Sequence, residues 1–450
     1  MTSLRWLSLS LGVSTLGALT VGCGGASSGE PPSDVATRPN DVVATVVNIS
    51  WTTLAPTSGY VEYGTAELDR RTPVETEARA AHSVSLLGLA PDTVYNYRVV
   101  TAGAGASPIN TLRTGDLPVG MPPLTQTGEG HTGFTIVPIL GATTAVTIID
   151  AQGQIVWYHQ DDRELDFYRA RLAIDGKSLL YNAASVSGDP SDASELVRVA
   201  LDGSSTSSIP VPLLAHDFVE HPDGTLGAIV VEYRDDDAGT PIRGDSIVEI
   251  DPNGERRTIW SSWDCFDLAE EQGDDLTHGW TFANALDYGP TEQAYYLGMR
   301  NFSSIAKIDR ASGTCEWVFG LTAATIDFAP DAEVFLHQHQ FQVRGNHILV
   351  MDNDGSPGNE SRVLEYELDF ERNLATQIWS YVSNPSVYTF VLGEPTRLDD
   401  GDTFINWSAA GQMERVTGEG ASRWKLNTGA GFVFGFSTLA DTLYGGAVAH

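Results

Sequence analysis

Residues 335–343 read FLHQHQFQV and set two imidazoles, His337 and His339, two positions apart. In an extended strand that spacing sends both side chains to one face. An imidazole is largely neutral near pH 7, so it can act as a nucleophile, move a proton or bind a metal. No CxxC or HExxH spacing accompanies the pair, which argues against a metal centre. Other polar groups recur upstream: His216 in HDFVEHPDG, and Asn284 and Arg300 in FANALDYGPTEQAYYLGMR. Arg and Asn supply fixed N–H donors of the kind that stabilise a transferring anionic group. The stretch DNDGSPGNE (352–360) has acidic groups at alternate positions but lacks the twelve-residue calcium-loop spacing, so it reads as an ordinary turn near Asp352.

The elements that must position these groups repeat along the chain. TIIDAQGQIVWYH, VRVALDGSSTSSIPV, VEIDPNGERRTIW, AKIDRASGTCEWVFG, YELDFERNLATQIWSY and ERVTGEGASRWKLN each read as strand, Asp/Gly turn, strand. A second hairpin precedes most of them, so each repeat makes a four-stranded sheet. Six such sheets over 118–450 predict a six-bladed β-propeller. GFTIVPIL (133–140) is expected to close the incomplete blade begun near the C-terminus. First strands of blades line the central channel. Their starts collect a polar ring: Arg169 or Arg171, His216, Phe282 with Asn284, His339, and Glu394 or Arg397. A turn centred near Thr291 pairs Phe282 with Arg300 across its hairpin. His337 is expected to be structural.

Composition sets the wider frame. Forty-five glycines and 22 prolines with only 19% charged residues suit an all-β chain. A formal net charge of −33 opposes binding to nucleic acid. Residues 1–23 combine Arg5, a short apolar run and TVGC ending at Cys23, the pattern of an exported bacterial lipoprotein lipidated on that cysteine. The expected location is the cell envelope, with a membrane anchor through lipid. Residues 24–40 read as a flexible Gly/Ser/Pro tether. The remaining cysteines, Cys265 and Cys315, are expected to pair in an oxidising compartment. Leu89 to Val99, LAPDTVYNYRV, resembles the fibronectin type III pattern, with Pro91 in the turn and Tyr95 and Tyr97 on one strand face. That resemblance implies a β-sandwich over 41–115, more a spacer than a catalyst.

The propeller resembles the bacterial arylsulfotransferase family, whose pattern is W-x-H-x-N, an Arg sixteen residues after the Asn, a K-I-D hairpin, then Q-H and D-N. Here those positions are Trp280, Phe282, Asn284, Arg300, Lys307-Ile308-Asp309, Gln338-His339 and Asp352-Asn353, with His216 matching an upstream histidine. The resemblance implies sulfuryl transfer from an aryl sulfate to a phenolic acceptor through a sulfohistidine, without a nucleotide donor and without a cofactor. It implies His339 as nucleophile, His216 as an assisting donor or acid, and Arg300 and Asn284 as sulfuryl binders. Phe282 departs from the family histidine and can neither donate a hydrogen bond nor protonate a leaving phenolate. His278, four residues upstream, could take its place only if the chain bends there, which is the less favoured reading. Phe282 also motivates an alternative: a non-catalytic, surface-anchored propeller that binds an anionic aromatic ligand or an envelope glycan. A quinone-dependent dehydrogenase propeller is weaker, because no adjacent cysteine pair occurs.

Overall fold

The computed structural model describes residues 31–445 except 104, 130–132, 162–164, 185–190, 237, 272–278, 356–357 and 359. The expected signal segment with Cys23, and His278, therefore lie outside the described residues. The N-terminal unit is a two-sheet sandwich. One sheet holds Ser33–Pro39, Val47–Thr57 and Arg79–Leu86; the other is built on Gly59–Gly64 and Val94–Thr101. VYNYRVVT alternates in burial along its length, sending Tyr95, Tyr97 and Val99 into a core with Trp51 and Tyr63. The expected tether is shorter than 24–40: Ser33–Pro39 is an edge strand, paired antiparallel with Val47–Thr57. Its composition is poor in apolar residues, but backbone pairing needs none.

Residues 124–440 form the expected propeller of six sheets, antiparallel apart from the short strand Asp327–Phe328, with each of the six Asp/Gly hairpins supplying two outer strands. The repeated aspartates have a local cause. Oδ1 of Asp150 accepts the amides of Gln152 and Gln154, and Oδ1 of Asp251 accepts those of Asn253 and Glu255, each fixing its turn from inside. The repeated tryptophans stitch neighbours together. Nε1 of Trp157 donates to the Leu201 carbonyl in the next blade's turn (2.8 Å), and Trp379 does the same to Gly418 (2.8 Å).

Closure uses both ends of the domain. Leu124–Gly128 adds an outer strand beside Ser422–Thr428 in the last blade. Phe432–Phe434 and Thr438–Ala440 supply the inner edge of the first, beside Phe134–Gly141. Cys265 and Cys315 are disulfide-bonded, tying the third blade to the fourth. The sandwich is docked rather than free. Val43, Val46 and Leu87 share a core with Trp157, Ile148 and Tyr158 of the first blade. The Ala44 amide donates to Tyr158 Oη (2.9 Å), and Thr45 Oγ1 donates to the Val156 carbonyl (2.8 Å).

Candidate active site

The chain enters several inner strands through a residue in the left-handed region: Leu213 (φ 61°), Phe282 (46°), His337 (51°) and Leu392 (56°). Such angles are uncommon for bulky residues and cost about 1–3 kcal/mol each. They turn the connecting segments down toward the axis. For this reason His337 and His339 do not share a strand face as the spacing suggested: the strand begins only at Phe341. His337 turns to Asp354, with Nδ1 2.8 Å from its carboxylate, and that hydrogen bond holds Asp354 below the usual carboxylate range. Tyr388 Oη donates to the same carboxylate (2.6 Å).

His339 is buried, and its Nδ1 lies 3.0 Å from Asn353 Oδ1. Asn353 can face only one way. Its Nδ2 donates to the carbonyls of Thr389 (2.6 Å) and Leu392 (3.0 Å), so its oxygen must face the imidazole. The neutral ring therefore carries its proton on Nδ1 and its lone pair on Nε2. Burial pushes the imidazolium down to about 4, against the hydrogen bond to Asn353 and with help from the charge of Arg300.

Arg300 reaches this mouth from the neighbouring blade. Its amide donates to the Phe282 carbonyl (3.1 Å), which is the pairing the hairpin turn predicted. The route differs: the strand pairs Leu286 with Leu297 and Ala285 with Gly298, and a bulge at Asn284 shifts the register before Ala283 meets Met299. The Arg300 guanidinium carbon lies 5.9 Å from the Phe282 ring centre. His216 meets the same ring edge-on at 5.1 Å and is followed by Tyr168 at 5.8 Å. Asn284 is fully buried. Its Nδ2 donates to the carbonyl of Gln338, immediately before His339 (2.8 Å), so it ties two blades together behind the histidine.

A polar plug floors the mouth. Phe436 lies 6.4 Å from His339 and covers Arg169, whose guanidinium carbon is 4.6 Å from that ring. Arg169 pairs with Asp217 (3.0 Å) and Glu394 (2.9 Å). It thus belongs to the plug, together with Glu394. Arg171, which also reaches Asp217 (3.6 Å), lines a cavity of about 430 Å³ with Glu394 and Arg397. Of the expected ring, His216, Phe282 and His339 gather around Arg300, while Arg169, Arg171 and Glu394 belong to the network of Asp217. The motif around Asp352 is a structural turn: the carboxylate takes the Leu336 and Gly355 amides and Arg362 Nε (2.7 Å).

Sequence reasoning gave no role to Tyr388, Phe436, Asn353 or Arg243. Asn353 carried a signal, the D-N of the family pattern. Arg243 sits on the third strand of its blade, where first-strand logic does not look. It reaches the mouth because Leu226–Asp235 and Pro241–Ile250 are ten residues long, three more than the inner strand Leu214–Glu220.

The arylsulfotransferase (ASST) family model matches residues 124–428. The chain belongs to this family. The match takes in strands of all six blades but ends before the closing strands Phe432–Phe434 and Thr438–Ala440, and the purple acid phosphatase N-terminal domain model matches residues 32–114, the fibronectin III-like sandwich. A comparison with curated proteins finds no match. Among solved structures, the chain is similar to a protein of unknown function from Bacteroides caccae (14% identity, 66% of this chain and 94% of that one, TM-score 0.42). It is also similar to a streptogramin B lyase (11%, 70% and 100%, TM-score 0.39) and to virginiamycin B lyase from Staphylococcus aureus (11%, 68% and 99%, TM-score 0.39). Likeness at that level carries no functional argument, so the family match and the site geometry stand without it.

Proposed function

We propose that this protein transfers a sulfuryl group from an aryl sulfate to a phenolic acceptor, without a nucleotide donor, through a sulfated His339. The observation that carries the reading is the orientation of His339 by Asn353, which supports a lone pair on Nε2 beside the cationic Arg300. In the first half-reaction Nε2 attacks sulfur, an N–S bond forms, and the S–O bond to the donor breaks. The departing phenolate takes a proton, with His216 as the nearby donor. In the second half-reaction His216, now neutral, takes the acceptor phenol's proton, the phenol oxygen attacks sulfur, and the N–S bond breaks to return the lone pair to Nε2. Arg300 stabilises charge spread over the sulfuryl oxygens. Asn284 acts through the Gln338 peptide, as a positioning residue.

The family histidine replaced by Phe282 favours a second reading, in which the site binds an anionic aromatic ligand without turnover. Transfer from p-nitrophenyl sulfate to phenol separates the two. The first reading expects wild-type turnover and a loss of at least about 10⁴-fold in His339→Ala. Equal rates in the two proteins would remove the proposed nucleophile, and no turnover in either would favour the binding reading. Export and acylation at Cys23 belong to the same proposal, motivated by TVGC. Membrane fractionation of Cys23→Ser checks it: the variant is expected to leave the membrane pellet.

A further inference from the structure

Arg243 projects over the face of Phe282, its guanidinium carbon 5.0 Å from the ring centre. Its backbone is fixed there, since its carbonyl accepts the Trp280 amide at 2.7 Å. Gly279 lies against its side chain so closely that a Cβ would come within 3.0 Å of Cγ and Cδ. That glycine holds φ at +122°, so both its space and its angle exclude a larger residue. Nε of Arg243 is buried and has no hydrogen-bond partner among the described residues. Its acidic neighbour along the strand is Asp245. That carboxylate directs Oδ2 to Thr281 Oγ1 (2.5 Å) and the Ala283 amide (2.7 Å), below Phe282. Asp245 feels the charge of Arg243, yet it makes no direct contact with the guanidinium among the described residues, so in a chain with 59 acidic and 26 basic residues this cation keeps a buried donor open to an outside anion.

Arg300 touches the same ring from its own blade. Two guanidinium groups thus flank one apolar platform, at the position where the family pattern has a histidine. We infer that Arg243 is a specificity-determining residue that selects aryl sulfates bearing a second anionic group, a carboxylate, on the ring. The sulfuryl group lies with Arg300 and His339, the aromatic ring lies against Phe282, and the carboxylate reaches Arg243. With Phe282 in place of the family histidine, this position offers a substrate ring an apolar packing surface instead of a hydrogen-bond donor. This inference rests on the sulfuryl-transfer reading of the site.

The test compares 4-carboxyphenyl sulfate with 4-nitrophenyl sulfate as donors, in wild type, Arg243→Ala and Arg243→Lys. The ratio of kcat/KM for the carboxylate donor over the nitro donor is expected to fall about 10- to 100-fold in Arg243→Ala, the worth of one charge-assisted hydrogen bond, with partial recovery in Arg243→Lys. A ratio that does not move overturns the inference. Equilibrium binding of 4-sulfobenzoate and benzenesulfonate, which needs no turnover, keeps the two readings apart. Arg243-dependent preference for 4-sulfobenzoate in a protein that transfers no sulfate would uphold the inference and remove the transfer reading. Transfer with no such preference would do the reverse.

Discussion

Replacing Asn353 with alanine removes the acceptor that keeps the proton of His339 on Nδ1. The histidine would remain, yet its lone pair would no longer be directed, and kcat is expected to fall about 10- to 100-fold. Asn353→Asp keeps the acceptor but brings a negative charge, which favours the imidazolium. With His339 held at about 4, the acid limb of the wild-type kcat/KM profile should lie near pH 4 rather than near 6.5. In Asn353→Asp the limb should move up in pH; an unmoved limb would place the titrating group elsewhere. Phe282→His restores a donor at the mouth and should raise kcat by up to about 10²–10³, the usual worth of such a group. The residue types at His339, Arg300 and His216 were legible from the motif. The tautomer was not, because it depends on two carbonyls in the segment after the fifth blade, Thr389 and Leu392.

At the scale of elements, hairpins were the clearest part of the sequence. Their aspartates and tryptophans do local work that leaves a periodic trace, so all six outer hairpins could be placed. The segments that turn into the axis left no such trace. His337 and Phe282 adopt left-handed angles that neither residue favours, and tertiary packing imposes them. Alternation therefore misplaced His337, while the Phe282–Arg300 pairing was found despite an unforeseen bulge. The disulfide between Cys265 and Cys315 closes a loop of 50 residues between two blades. Chain-entropy reasoning gives it about 3–5 kcal/mol. Cys265→Ser/Cys315→Ser should lower the denaturant midpoint accordingly, and a variant as stable as wild type would contradict this.

One network draws all six blades together at the axis. Asp217 of the third blade accepts Arg169 of the second, the Leu286 amide of the fourth and Gln340 Nε2 of the fifth. Arg169 continues to Glu394 of the sixth and to the Ser437 carbonyl on the inner edge of the first. Burial raises Glu394, against the charges of Arg169 and Arg171. Asp217→Ala would strand Arg169 partly uncompensated in the interior and should cost about 3–5 kcal/mol in denaturant unfolding. A cost within experimental error would show the plug to be dispensable. Stability should also fall with acid. His221 and His339 are both held near 4, mainly by burial, while unfolded imidazoles titrate near 6.5. Between those values the unfolded chain binds more protons, so their contribution is complete above about pH 6.5 and declines as pH falls toward 4.

Everything proposed for this molecule returns to Nε2 of His339. Wild-type protein incubated with p-nitrophenyl sulfate and no acceptor, quenched and mapped by mass spectrometry, should carry one sulfate on the peptide containing His339, and the adduct should vanish when phenol is added. Sulfate on a different residue, or transfer to phenol with no adduct on any histidine, would contradict the account.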